Sequence, residues 1–144
     1  MNVFVDRHWN NNDEEILELL KEKFPFCYSK TREFLSDKQF KKVFMPHYHY
    51  CFLKDLDCNI KAVITWYLYD EVFKAHPEEE NKNCTYPEFY KKMVFVSLVE
   101  VAEEYRGQGI GIELFDYVQE RCFNKTVLLT AKDDSVLYGY YLKT

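Results

Sequence analysis

The chain changes its hydrophobic period partway along, and that change divides it into a helical first third and a sheet-forming remainder. From Asp13, apolar residues fall at helical spacing: Ile16, Leu19, Leu20 and Phe24 lie on one face, the acids Asp13, Glu14 and Glu15 occupy a first turn, and Pro25 stops the run. A second helix is predicted after Ser36. Ser36 and Gln39 have capping-box spacing, and Phe40, Val43 and Phe44 form a stripe before Pro46. The period then drops to two. His47 to Lys54 and Ile60 to Tyr69 read as two strands of a hairpin around the polar break Asp55–Asn59. A long polar loop is expected from Asp70 to about Pro87. Met93 to Val101 is the most apolar strand, read as central and buried on both faces. Ile110, Leu114, Val118 and Cys122 mark another helix, Thr126 to Thr130 a buried strand, and Asp133 or Asp134 the cap of a last helix. A short strand at Val3–Val5 is allowed before the first helix. The fold class is therefore mixed α/β (α+β), with helices on the faces of one sheet and a single domain over 1–144.

Composition agrees with one packed domain. The chain has 144 residues, 47% of them hydrophobic and 18% aromatic, enough for a core rich in large rings. The net charge of −5 offers no basic stripe, which argues against a nucleic-acid partner. No apolar run reaches the ~20 residues of a membrane span, and the first fifteen residues do not read as a secretory signal, so a cytoplasmic location is expected. The five cysteines lack CxxC spacing and are read as free thiols. His47 and His49 would share a strand face, but no third ligand accompanies them, and no metal is expected.

The chemistry concentrates at the glycines. The chain has four, and Gly107, Gly109 and Gly111 sit within five residues, between the strongest strand and a strong helix. Such a turn leaves backbone N–H groups free at a helix N-terminus, where donors and dipole together favour an anion. Arg106 adds a positive charge beside it. A P-loop would need GxxxxGK(S/T), and the Lys and hydroxyl are absent. A dinucleotide fingerprint needs GxGxxG, and in GQGIG the third glycine comes one residue early. A turn that only lets helix and strand pack closely is the structural alternative.

The run Val101-Ala102-Glu103-Glu104-Tyr105-Arg106-Gly107-Gln108-Gly109-Ile110-Gly111 resembles the acetyl-CoA-binding motif Q/R-x-x-G-x-G/A of the GNAT N-acetyltransferase superfamily, with Arg106, Gly109 and Gly111 at the specified positions. The strand before it, and the helix, strand and helix after it, match that family's order. The resemblance implies a GNAT-like fold with a splayed sheet. It implies that the amides of Arg106, Gly107, Gln108, Gly109, Ile110 and Gly111 wrap the pyrophosphate of acetyl-CoA, and that the backbone of Val99 and Val101 holds the pantetheine arm. It also implies direct acetyl transfer to an amine, small molecule or peptide, in a ternary complex. In the family a tyrosine often protonates the departing thiolate. Aligning Asp134 with the family's Asn, a cofactor-side position, brings Tyr141 to the tyrosine position, with Tyr138 one turn earlier as runner-up.

Two departures qualify the resemblance. Where family members often carry an acid, this strand has Ser97. Its one carboxylate, Glu100, would face away from Ser97 unless a bulge re-aims it; Glu100, a water chain or an already neutral amine would then serve as base. The chain also stops at Thr144, before the Gly-Phe turn and two strands usual in the family. The corresponding expectation is that those strands are absent or come from another chain, with a possible homodimer through the edge at Val127–Leu129. The acidic stretch Asp70, Glu71, Glu78, Glu79 and Glu80 is read as a solvated loop, with bordering the acceptor mouth as the alternative. Trp66, Tyr67 and Tyr69 are read as sheet-face aromatics. The competing functions are a catalytically inactive GNAT-like module that binds coenzyme A or a protein, and a nucleotide-binding protein.

Overall fold

The computed structural model describes residues 2–79, 91–122 and 126–129. Five strands form one sheet in the order β1-β2-β3-β4-β5: β1 Asn2–His8, β2 His49–Asp55, β3 Ile60–Leu68, β4 Met93–Val101 and β5 Thr126–Leu129. The first four pair antiparallel, and β5 runs parallel to β4. The α-helices that lie wholly within the described residues are α1 Trp9–Lys23, α2 Pro25–Ser36, α3 Lys38–Val43, α4 Tyr69–Ala75 and α5 Ile110–Arg121.

The pleat sends alternate residues to two cores. Tyr50, Phe52, Val63 and Tyr67 pack under α1–α4 against Ile16, Leu20, Phe24, Val43 and Phe73. Cys51, Leu53, Ala62, Ile64 and Trp66 pack under α5 against Ile110, Leu114, Phe115 and Val118. The hairpin break closes as expected: the Asp55 carboxylate accepts from the amides of Asp57 (2.9 Å) and Asn59 (3.0 Å).

Several boundaries differ from those the pattern predicts. Helix α1 begins at Trp9, but Asn12 leaves helical geometry (φ −142°, ψ 27°), so the periodic run does start at Asp13. Pro25 ends α1 and also opens α2, because a proline at the first helical position gives up no hydrogen bond. The cap of α3 is Asp37, not Ser36; its carboxylate accepts from the Gln39 and Phe40 amides, both at 3.1 Å. His47 belongs to a 3-10 turn, Met45–His47, and so shares no strand with His49. Helix α4 replaces the first part of the expected loop. Within the acidic stretch Glu79 is buried, and Gln39 donates to it at 2.9 Å. The strand covered on both faces is β3, whose residues 62–67 are all buried, whereas β4 alternates buried and half-buried positions. The predicted last helix, with Asp134, Tyr138 and Tyr141, lies outside the described residues.

One irregularity decides what β4 presents. Its register against β3 shifts between Thr65 and Trp66: Trp66 faces Val96 and Thr65 faces Leu98, so Ser97 is the extra residue of a bulge. The Thr65 hydroxyl accepts the Leu98 amide at 2.9 Å and closes the bulge in a buried position. Beyond it, Leu98 and Glu100 face the α1–α3 layer, while Val99 and Val101 face α5. Thr65→Val removes the acceptor and strands a buried amide. Urea denaturation is expected to show a loss of about 1–3 kcal/mol, and Thr65→Ser is expected to stay near wild type.

Candidate active site

The turn between β4 and α5 leaves its donors free. Gly107 (φ +81°) and Gly109 (φ +76°) adopt the left-handed conformation, and a Cβ on either would meet nothing within 4 Å. Backbone conformation therefore requires glycine at these two positions; close packing does not. Gly109 caps α5, and the first bond back to it comes from Glu113 at 3.3 Å. The amides of Gly107 through Ile112 find no acceptor among the described residues. The amide of Arg106, expected among the free donors, is instead bonded to the Glu103 carbonyl at 3.3 Å.

The adjoining strand contributes a second set of donors. The Leu98 and Ala102 amides donate toward β3, to Thr65 and to the Lys61 carbonyl. By alternation the amides of Val99 and Val101 point the other way, toward β5. The described pairing of β4 with β5 ends at Val96 opposite Leu129, so no described strand lies beside them. Arg106 lies against this edge, its Nε donating to the Val101 carbonyl at 3.1 Å. That bond holds the guanidinium at the mouth of the turn, and its other N–H groups have no acceptor among the described residues.

These parts line a single cleft of about 480 Å³, with Val99, Glu100, Val101, Tyr105, Arg106, Gly107, Gly109, Ile110, Gly111, Ile112 and Phe26 on its walls. Of the site residues taken from the sequence, seven cofactor positions and Glu100 thus come together. Gln108 is exposed on the turn and is not part of the lining. Asp134 and Tyr141 lie outside the described residues. The sequence reading missed Phe26, Tyr105 and Ile112. The signal for Phe26 was present in Pro25, which marks the helix start that puts Phe26 in a first turn.

Glu100 is only 7% exposed and sits at the inner wall. The bulge turns it toward α2, whose N-cap position is Phe24, a residue with no capping side chain. The Glu100 carboxylate supplies the missing cap, accepting from the amides of Cys27 at 2.8 Å and Phe26 at 3.4 Å. A carboxylate at a helix N-terminus also complements the dipole. Burial pushes the Cys27 thiol well up, and the neighbouring Glu100 charge and hydrogen bond reinforce the shift, so this thiol stays protonated and is no nucleophile at neutral pH. Beside the bulge, Tyr48 donates to the Ser97 hydroxyl at 3.0 Å; burial raises the Tyr48 phenol far above its ordinary value and keeps it a donor. Among the described residues no group of His, Cys, Asp and Glu side chains could hold a metal ion, and no helix is long and apolar enough to cross a membrane.

The free amides of the β4–α5 turn and the edge of β4 at Val99–Val101, which no described strand covers, open onto the same cleft. The acetyltransferase (GNAT) family model matches residues 14–143, and the chain belongs to that family. No curated protein matches it. Solved structures share its fold at low identity. A protein described as histone acetyltransferase HPA2 and related acetyltransferase, from Corynebacterium glutamicum, is 16% identical (TM-score 0.61) over 99% of this chain and 83% of its own. The ribosomal-protein-alanine N-acetyltransferase of Brucella melitensis is 14% identical (TM-score 0.57) over 99% and 90%. An aminoglycoside acetyltransferase from an uncultured soil metagenomic sample, in complex with sisomicin, is 13% identical (TM-score 0.57) over 99% and 85%.

The thiols supply a direct check on this geometry. Cys58 is exposed and Cys27 buried. At pH 8 a maleimide is expected to label Cys58 in the folded protein and to reach Cys27 only after unfolding, as read by peptide mass spectrometry. Labelling of Cys27 in the native state would mean that the Glu100 cap is not closed.

Proposed function

We propose that this protein transfers an acetyl group from acetyl-CoA to an amine by direct attack in a ternary complex. One observation carries the reading: the amides of Gly107 through Ile112 lack protein acceptors among the described residues and open, beside the Arg106 guanidinium, onto a cleft that also takes in the edge of β4 that no described strand covers. The residues fit the cosubstrate chemically. A diphosphate needs converging N–H donors and a cation, and a pantetheine arm needs an apolar trough with strand amides to hydrogen-bond its own. When bound, acetyl-CoA supplies an activated acetyl thioester.

The rest of the chemistry belongs to the chain. The amides of Gly107, Gln108, Gly109, Ile110 and Gly111, with Arg106, grip the diphosphate. The β5-facing N–H of Val99 or Val101 donates to the acyl carbonyl and stabilises the negative charge that grows there as the amine attacks. Glu100 takes the amine's proton, directly or through a water; each carboxylate oxygen holding a backbone amide still has a free lone pair. Tyr141 protonates the departing thiolate.

The second reading is a coenzyme A-binding module without turnover. It is favoured by the engagement of Glu100, whose two oxygens both hold α2. Release of free thiol from acetyl-CoA mixed with a panel of amines separates the two: turnover with any amine excludes the module, and binding without turnover supports it. Arg106→Ala is expected to weaken coenzyme A binding by about 1.5–3 kcal/mol in calorimetry; unchanged affinity would refute the cradle. Tyr141→Phe is expected to lower kcat by about 10²-fold or more with coenzyme A affinity retained.

A further inference from the structure

Strand β1 forms one edge of the sheet, and β2 is its only strand neighbour among the described residues. One hydrogen bond tells which of its backbone groups face outward. The Trp9 amide donates to the Tyr48 carbonyl at 2.9 Å, in line with the β1–β2 register, so Trp9 points its backbone at β2. Alternation then turns Arg7, Val5 and Val3 toward β2 as well. The N–H and C=O groups of Asn2, Phe4, Asp6 and His8 point away from the sheet. The His8 carbonyl is taken by the Asn12 side chain at 3.3 Å; no described strand covers the others.

A free edge is usually guarded by proline, lysine, a bulge or an inward charge. In β1 the charges lie in one half, and both are engaged within the chain: Asp6 with His49 at 3.1 Å and Arg7 with Glu15 at 3.3 Å. The other half, Asn2–Val5, has no charge and no proline and pairs with β2 without a bulge, and Val3 within it is 42% exposed. Its side chains match a second copy of themselves. An antiparallel two-fold through Phe4 sets Phe4 opposite Phe4 of the second copy, Val3 opposite Val5, and Asn2 opposite Asp6. Phe4 is already stacked on Tyr117 at 4.0 Å, so its ring is held at this edge. Asn2 accepts from Lys61 through Oδ1 at 3.1 Å, which leaves its Nδ2 to donate to the facing carboxylate. The neighbouring two-folds lose this match. Through Val5, a phenyl ring would face the Asp6 carboxylate; through Asp6, two carboxylates would face each other.

We propose that β1 pairs antiparallel with β1 of a second copy of this chain about Phe4, joining the two sheets into one. The outward groups of Asn2, Phe4 and Asp6 then find partners, and Val3 is covered. The contact is short beside the roughly 20–30 residues a side of a standard interface, so the dimer is weak and concentration-dependent. It lies two strands away from β4 and does not rest on the acetyl-transfer reading.

Sedimentation equilibrium of the whole chain from about 10 μM to about 1 mM tests the proposal, with folding followed by thermal melting. Wild type is expected to pass from monomer to dimer over this range. Val3→Lys places a charge on the exposed edge and is expected to weaken association about tenfold or more while melting near wild type. The register is read separately, in a Cys58→Ser background, by oxidising a mixture of Val3→Cys and Val5→Cys proteins and mapping the disulfides by mass spectrometry. Cross-links joining Val3→Cys to Val5→Cys are expected, because the two positions face each other as a close, non-hydrogen-bonded pair. A wild type that stays monomeric throughout overturns the proposal. So does a dimer that Val3→Lys leaves as tight as wild type, since the interface would then lie elsewhere, such as the edge beyond β5. Val5→Cys linked mainly to itself would move the two-fold to Val5 and overturn the register. Should Val3→Lys fail to fold, the cross-links decide.

Discussion

The site depends on backbone donors that have no partner among the described residues, those of the β4–α5 turn and of the outer edge of β4 past Val96. Up to Val96 and Leu129, β4 and β5 pair in parallel. Past that point β4 continues to Val101 without a described neighbour on that side, and the chain turns through two left-handed glycines into α5. Unpaired backbone donors are costly when buried and useful when they open onto a cleft. Here two sets of them, from the strand edge and from the helix start, converge on the same volume. Arg106 joins the sets by bonding to the Val101 carbonyl, so the cation is placed by the same edge that supplies the amides.

The bulge at Ser97 is the second constraint. Without it, Glu100 would lie on the α5 face among Val99's neighbours, and α2 would start with uncapped amides. With it, one strand serves two layers: its β5-facing amides and the Val99 and Val101 side chains form the cleft, while Leu98 and Glu100 secure the helices on the other side. Glu100 ties α2 to β4 through two hydrogen bonds. Displacement of α2 would therefore change the wall of the cleft that Phe26 and Glu100 share.

Much of the fold was legible in residues 1–129. The apolar stripe Ile16, Leu20, Phe24 and the alternation of β2 and β3 survive in the structure because each element's buried face is written at its own period. Helix α2 was not legible, since only Cys27 and Thr31 are buried from it and neither stands out as an apolar stripe. Asp37 took the cap from Ser36 because the helix starts one residue later than the capping-box spacing suggests. Burial on both faces was misplaced for a similar reason: apolarity marks β4, which is paired on both sides, yet the run of residues buried on both faces belongs to β3.

For the site, the sequence by itself determined the glycine turn, the cation beside it and the family they belong to, because a left-handed backbone and an anion cradle each demand particular residues at fixed spacing. It did not determine the orientation of Glu100, its use as a cap for a helix 73 residues earlier in the chain, or the presence of Phe26 on the same wall. Those were decided by a one-residue shift between β3 and β4 and by the packing of α2 onto the sheet. Register and long-range packing arise from how the elements fit together, and no local pattern of residues encodes that fit.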